Sequence, residues 1–182
     1  MVEFAQETLE DAAAVEGLFD LSFAPGRTAL SSYQLRGGAP PVAALCRLAR
    51  DEFDVVVGAI RYWPVRIEER APGRGLWPAL LLGPVAVHPI RQGEGLAAAL
   101  ISDTLERAAA RGWSRVILVG DAPYYGRFGF ARAPAEGLTF PPPVNPQRVL
   151  ARELAPGAMA EVRGDVAPWP AGAPISAHPP GA

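Results

Sequence analysis

The chain has 182 residues, enough to bury one sizeable core but not two. Hydrophobic residues make up 49% and charged residues 20%, ordinary for a globular protein, and the formal net charge is −2. That balance excludes a general electrostatic pull toward nucleic acid or anionic lipid, so a phosphate-bearing ligand needs a local device to hold it.

The opening MVEFAQETLEDAAAVEG has neither the basic n-region nor the apolar h-region of a signal peptide, and no stretch approaches the roughly 18 apolar residues that span a bilayer. Cys46 is the only cysteine, which rules out an internal disulfide framework. A cytoplasmic location is expected. All 17 basic residues are arginine. A single domain is expected over 1–170, followed by a Pro/Gly/Ala-rich, disordered tail over 171–182.

In chain order, 2–6 predicts an edge strand and 9–22 an amphipathic helix with Leu9, Ala13, Leu18 and Leu21 at helical spacing. After a Pro25–Gly26 break, 28–36 predicts a second short helix. Residues 41–50 and 53–63 read as two strands joined by a tight turn at Asp51–Glu52, and 64–79 as a loop. The run LLLGPVAVH over 80–88 is a buried strand. The loop PIRQGEG and a helix from Leu96 to Arg111 follow, with Leu96, Leu100, Ile101, Thr104, Leu105 and Ala108 on one face. Gly112 ends that helix, and RVILVG over 115–120 forms the next buried strand, giving a parallel βαβ crossover. Pro123 starts a short helix carrying Tyr124 and Tyr125, and 129–133 reads as a strand leaving it. Residues 134–146, with five prolines, are a long loop, and 147–154 the last strand.

Three features of 80–130 fit one mechanism. Gly83–Pro84 interrupts a central strand, and a proline that cannot donate to a sheet ladder implies a bulge or a parting of strands. Parting frees backbone groups of Val85, Ala86 and Val87 for a ligand that carries its own amides. Next, Gln92-Gly93-Glu94-Gly95-Leu96-Ala97 joins that strand to the helix. Glycines allow close backbone approach, and unpaired N–H groups at the helix start attract anions. Last, Tyr125 lies near the C-terminal edge of the sheet, where a phenol with a reference pKa near 10 can pass a proton to a thiolate near 8.5.

On these residues the chain resembles the GNAT acetyltransferase superfamily. VAVHPIRQGEGLAAAL is similar to its motif A, Gln/Arg-x-x-Gly-x-Gly/Ala, here Gln92, Gly95 and Ala97. YYGRFGF is similar to its motif B, here Tyr125 followed by Gly129 and Phe130. Together they are most like the bacterial YhbS-like subgroup. The resemblance implies an α/β (α+β) fold: a central mixed, mostly antiparallel sheet of six to seven strands, V-shaped between the fourth and fifth, flanked by about four helices. It implies acetyl-CoA as co-substrate and no metal. Pantetheine would lie on the backbone of Val85, Ala86 and Val87, and pyrophosphate on the amides of Gly93, Glu94, Gly95, Leu96 and Ala97, with Gln92 also in the cofactor-binding set. It implies transfer of an acetyl group to a primary amine of a small molecule or peptide by direct attack, with Tyr125 protonating the leaving sulfur. Members are often dimers, so a homodimer is compatible with it. The sequence departs from the family in having no carboxylate over 80–87, leaving Glu68, Glu69, Asp121 or a water chain as base candidates.

Other readings compete. Gly93 to Ala98 also matches the dinucleotide pattern G-x-G-x-x-A, but four residues separate it from the strand and no further βα units follow. A non-catalytic acyl-CoA-binding module would share Gly93 and Gly95 and lack the need for Tyr125. His88 and Cys46 are ordinary strand residues, and no zinc spacing, G-x-S-x-G elbow or G-K-[ST] is present. The amine is not legible; loops 23–38, 64–79 and 134–146 should shape its pocket, with Trp63, Trp77 and Arg66 as candidate walls.

Overall fold

Two long apolar runs, 56–68 and 76–87, become the central hairpin of the sheet. In the computed structural model, which describes residues 1–23, 26–70 and 75–178, eight strands join in one sheet. Across it run β1 (Glu3–Gln6), β2 (Arg47–Arg50), β3 (Val56–Glu68), β4 (Leu76–Val87), β5 (Arg115–Val119) and β7 (Val149–Glu153). β8 (Gly164–Pro168) pairs with β3 where β2 has stopped, and the two-residue β6 (Leu138–Thr139) pairs with β8. Along the main path only β4 and β5 are parallel. The described helices are α1 (Ala12–Ser22), α2 (Ser31–Gln34), α3 (Leu96–Ala110) and α4 (Ala122–Tyr125). The expected mixed, mostly antiparallel architecture is present, with eight strands.

Period-two alternation sends Ile60, Tyr62, Leu80, Leu82, Val116, Leu118 and Leu150 to one face, where Leu100, Ile101 and Leu105 of α3 cover them. Tyr62 and Thr104 are buried there and share a hydrogen bond of 2.9 Å between their hydroxyls. The opposite face carries Val65, Ile67, Ala79, Leu81, Ile117 and Ala151 under Phe140, Met159, Val162 and Val166 from the chain after 134. Val15, Leu18 and Phe19 of α1 cover Leu48, Ala59 and Ala86. A sheet whose main path holds a single parallel pair is not the doubly wound parallel sheet on which dinucleotide folds depend, so the G-x-G-x-x-A reading fails on architecture.

Several boundaries move for identifiable reasons. α1 begins at Ala12, not Leu9; Thr8 to Asp11 form a turn, with the Asp11 amide donating to the Thr8 carbonyl at 3.2 Å and the Asp11 carboxylate accepting from the amide and the hydroxyl of Thr8, each at 2.8 Å. The turn before β3 runs through residue 55, since Asp51 Oδ1 accepts from the amides of Phe53 and Val55, each at 3.0 Å. In 41–50 only Arg47–Arg50 is strand, after a 3-10 turn at Ala43–Leu45. The 28–36 helix is a 3-10 turn at Arg27–Ala29 followed by α2.

The 64–79 loop is a correction: β3 and β4 stay paired out to Glu68 opposite Leu76. Pro64 and Pro78 suggested a break, yet Pro64 precedes the stretch of β3 that β8 pairs, and Pro78 precedes the stretch of β4 that β5 pairs. Prolines are tolerated where a strand edge has no partner. Residues 129–133 form only an isolated bridge, Ala131 to Ala151, and the strand at 147–154 is followed by β8, whose Gly-Asp-Val-Ala-Pro composition hid it. Ala177 packs against the α3 side of the core. Pro25 of the predicted break, 71–74 of the predicted loop and 179–182 of the predicted tail lie outside the described residues.

A buried cation ties α1 to the sheet. Arg61 on β3 is 8% exposed and pairs with Glu7 (2.5 Å) and Glu16. Glu16 also pairs with Arg27 (2.5 Å), which reaches Asp20 (2.8 Å) and donates to the Tyr33 hydroxyl. The chain from α1 to α2 is thereby held against the sheet. Glu7→Ala is expected to lower stability in urea unfolding by about 2–3 kcal/mol, below the full cost of stranding a buried charge because Glu16 remains. Burial pushes the Glu16 carboxyl up, but hydrogen bonds from Arg27 and Arg61 outweigh it and leave it below its ordinary 4.5. Asp11 is held below 3.8 mainly by the Thr8 amide. Both carboxylates therefore stabilise the fold above pH 4.5, and that contribution should disappear progressively as acid titration carries the pH through their folded-state values.

Candidate active site

The parallel pair β4–β5 is short: only Leu80 opposite Val116 and Leu81 opposite Ile117 are in register. The reason lies one residue further along. Between β3 and β4 the register slips, Ile60 facing Val85 while Tyr62 faces Leu82, so β4 carries one extra residue around Gly83–Pro84. Gly83 has φ 131°, a conformation open to glycine, and Pro84 has no N–H to offer β5. Beyond the bulge Val85, Ala86 and Val87 pair with β3 alone, leaving the other edge of β4 free. The bulge also reverses the alternation, so Val85 joins the α3 side that Leu80 and Leu82 occupied before it.

From β4 the chain runs through a 3-10 turn at Pro89–Arg91, where His88 Nδ1 accepts from the Ile90 amide at 3.4 Å. Gly93 (φ 87°) and Gly95 (φ 82°) then turn it into α3. A Cβ at either position would meet nothing within 4 Å, so the left-handed backbone, not crowding, is what calls for glycine. Gly95 is the cap residue of α3 and supplies no side-chain acceptor for the first amides of the helix.

These parts surround a cleft of about 470 Å³. Val85, Ala86, Val87, Gln92, Gly93, Gly95, Leu96, Ala97 and Tyr125 all line it. Glu94 does not; its carboxylate accepts from Arg91 Nε at 2.7 Å. The Gln92 side chain donates to the Val87 carbonyl at 3.4 Å, tying the loop to the strand end. Sequence reasoning missed Arg91, Ala98, Tyr124 and Arg127 in the walls. Arg91 lies inside the PIRQGEG loop already singled out, and Arg127 between the two tyrosines and Gly129, so the demand for a local anion-holding device could have found both. Arg127 stacks on the Tyr124 ring at 4.4 Å and has no carboxylate within 4 Å among the described residues.

Tyr125 ends α4, its amide donating to the Asp121 carbonyl at 3.0 Å. Its ring lies on Gly120: a Cβ there would come 2.3 Å from Tyr125 Cε2. Tyr124 and Phe130 hold the ring edge-on, with centroids at 5.0 and 6.0 Å. Gly129, at φ 76°, turns the chain back so that Phe130 is buried beneath Tyr125. Burial, then the neighbouring Tyr124 and Asp121, pushes the phenol up to about 12. Tyr125 and Val85 also line a second cavity of about 140 Å³, bounded by Gly83, Pro84, Tyr33 and Arg36. The two cavities thus meet at the strand parting.

The three carboxylates considered as bases are scattered. Glu68 pairs with Arg66 at 2.5 Å, Glu69 lines a separate cavity near Thr139, and Asp121 pairs with Arg148 at 3.1 Å. Asp121 alone belongs to the segment that carries Tyr125. Cys46 is buried, and its thiol is pushed up to about 12 by that burial, so it is inert. Trp77 and Trp63 pack against the core on the face away from α3.

A family model described as an acetyltransferase (GNAT) domain matches residues 18–133, well over half of the chain. The chain belongs to the GNAT acetyltransferase family. This GNAT chain is 28% identical over 155 residues to the uncharacterized N-acetyltransferase YhbS of Escherichia coli K12, covering 85% of the chain and 88% of that protein. It resembles the crystal structure of E. coli YhbS in complex with CoA, with a TM-score of 0.76 and 26% identity over 92% of the chain and 89% of YhbS. It also resembles a GNAT acetyltransferase from Brucella melitensis in complex with acetyl-CoA, with a TM-score of 0.64 and 25% identity over 92% and 95% of the two chains. No described helix is long and apolar enough to cross a membrane.

Because the Tyr125 ring occupies the space above Gly120, Gly120→Ala should push it outward. The phenol released to water is expected to titrate closer to 10 than to 12 in ultraviolet difference spectra taken against Tyr125→Phe.

Proposed function

We propose that this chain binds acetyl-CoA in the 470 Å³ cleft and transfers its acetyl group to a primary amine of a small molecule or peptide entering from the 140 Å³ cavity. The observation that carries the reading is that both cavities share Val85 and Tyr125, so a donor lying along β4 and an acceptor from the other side meet at one point. The fit to the donor rests on the residues present. The free edge of Val85–Val87 can pair with the amides of a pantetheine arm, as an added strand would. Left-handed Gly93 and Gly95 and the uncapped start of α3 suit a diphosphate, and Arg127, with no carboxylate within 4 Å among the described residues, adds positive charge at the same walls. Two GNAT structures similar to this chain are complexes with CoA and acetyl-CoA, which supports the assignment.

Acetyl-CoA supplies an activated thioester. The neutral amine attacks its carbonyl carbon, the carbon–sulfur bond breaks, the departing sulfur takes up negative charge, and the proton that the nitrogen sheds on becoming an amide passes through water to that sulfur, giving the free thiol. A phenol near 12 does not release its proton outright to a thiolate near 8.5; the mismatch of about 3.5 units opposes it by roughly 5 kcal/mol. Tyr125 therefore acts as a neutral hydrogen-bond donor to the sulfur, which revises the matched acid expected from reference values. An amine of lysine type must also lose a proton, at roughly 4–5 kcal/mol at pH 7. Asp121 or water near α4 takes it.

Free-thiol release from acetyl-CoA, assayed against small amines, amino acids and peptides, tests the whole reading; coenzyme binding without release for every acceptor would leave only a binding module. Tyr125→Phe should reduce the turnover number roughly 10²-fold while CoA affinity stays put. Tyr125 keeps its proton below about pH 12, so the rate should show no alkaline loss centred near pH 10. Gly95→Val combines a strained backbone with a bulky wall, and calorimetry should show CoA affinity reduced about tenfold or more.

A further inference from the structure

The acceptor-side cavity contains an arginine without a counter-charge. Arg36, just after α2, stacks on the Tyr33 ring at 3.6 Å and lies 5.5 Å from the Trp63 ring. Its Nη2 would be 3.8 Å from a Cβ at Gly83, which puts the guanidinium against the β4 bulge. Its Nε is buried with no hydrogen-bond partner. Two other arginines share that property, but Arg47 faces Asp103 at 3.3 Å and Arg66 faces Glu68 at 2.5 Å. Arg36 has no carboxylate within 4 Å among the described residues, and these include every aspartate and glutamate of the sequence. Arg27, the other cation of the cavity, is already occupied by Glu16, Asp20 and Tyr33. No wall residue is acidic.

Leaving the Arg36 Nε–H buried and without a partner is costly, and the cost is met when a ligand brings an acceptor. Burial pushes the Arg36 guanidinium below the ordinary arginine value, though it stays charged at neutral pH. A bare ammonium would be repelled here. An amine that also carries a planar oxyanion would not be, because a guanidinium fork matches a carboxylate in two parallel hydrogen bonds. The cavity of about 140 Å³ has the space of roughly five waters, and the ammonium, α-carbon and carboxylate of an amino acid are of that size.

We infer that Arg36 is the acceptor-specificity residue of this GNAT chain and that the acceptor is a small amine bearing a carboxylate a few bonds from its nitrogen, of amino-acid type. The inference rests on the acetyl-transfer reading for its chemistry, but its binding test stands apart. Isothermal titration, with and without CoA, compares L-amino acids with their α-carboxamides, and O-phosphoethanolamine with ethanolamine, on the wild type, Arg36→Gln and Arg36→Lys. The carboxylate member should bind about tenfold or more tightly than its carboxamide. Arg36→Gln should abolish that preference while the carboxamide changes by less than about twofold, and Arg36→Lys should restore only part of it. Unchanged CoA affinity in the variants shows that they fold.

Equal binding of acid and amide, no binding of either, or equal losses for both in Arg36→Gln would overturn the inference. So would a preference confined to the phosphate pair, which would assign the oxyanion to phosphate. Missing thiol release with amino acids that do bind would count against the transfer reading and leave the carboxylate contact in place.

Discussion

The site depends on one failure of hydrogen bonding: β4 and β5 start as a parallel pair and cannot continue as one. At Pro84 the strand has no N–H, and the extra residue at Gly83–Pro84 shifts the phase of β4 against β3. The edge of Val85–Val87 is left unsatisfied at the point where α3 begins, with its own first amides uncapped. A central sheet with free polar edges is normally a defect. Here the unsatisfied groups line one cleft.

The second constraint is electrostatic and acts beside the 140 Å³ cavity. Arg61, Glu7, Glu16, Arg27 and Asp20 form a chain of ion pairs from β1 and β3 through α1 to the turn before α2. Anchored on the buried Arg61–Glu7 pair, a network of this kind adds little net stability over apolar packing but fixes geometry. It fixes the segment that bears Tyr33 and Arg36 over the β4 bulge. The segment's remaining cation is then the one group there whose charge the protein leaves unanswered. Tyr125 is positioned by different means, the absence of a side chain at Gly120 and the edge-on packing of Tyr124 and Phe130. Its burial raises the phenol and makes it a donor that keeps its proton.

Where local chemistry is strong, the sequence and the structure agree closely. Leu96, Leu100, Ile101, Leu105 and Ala108 of α3 recur at helical spacing and are all buried. Gly112 follows that helix with a left-handed backbone. Disagreement collects where tertiary pairing overrides local signals. Pro64 and Pro78 read as loop but lie in paired strands, and β8 is a strand only because β3 offers it an edge. Asp51 shifts the start of β3 through side-chain hydrogen bonds that composition does not reveal.

The sequence by itself determined the motif-bearing half of the site: the broken strand, the glycine turn, the amphipathic helix and Tyr125, because each is written in residues whose backbone limits or spacing act locally. Only the tertiary structure decided that Glu68, Glu69 and Asp121 stay out of the cleft walls, that Arg91 and Arg127 join them, and that Arg36 stands beside Gly83 with no carboxylate within 4 Å among the described residues. Those facts depend on distances between segments remote in the chain, and on whether a charge has found a partner, which no local pattern encodes.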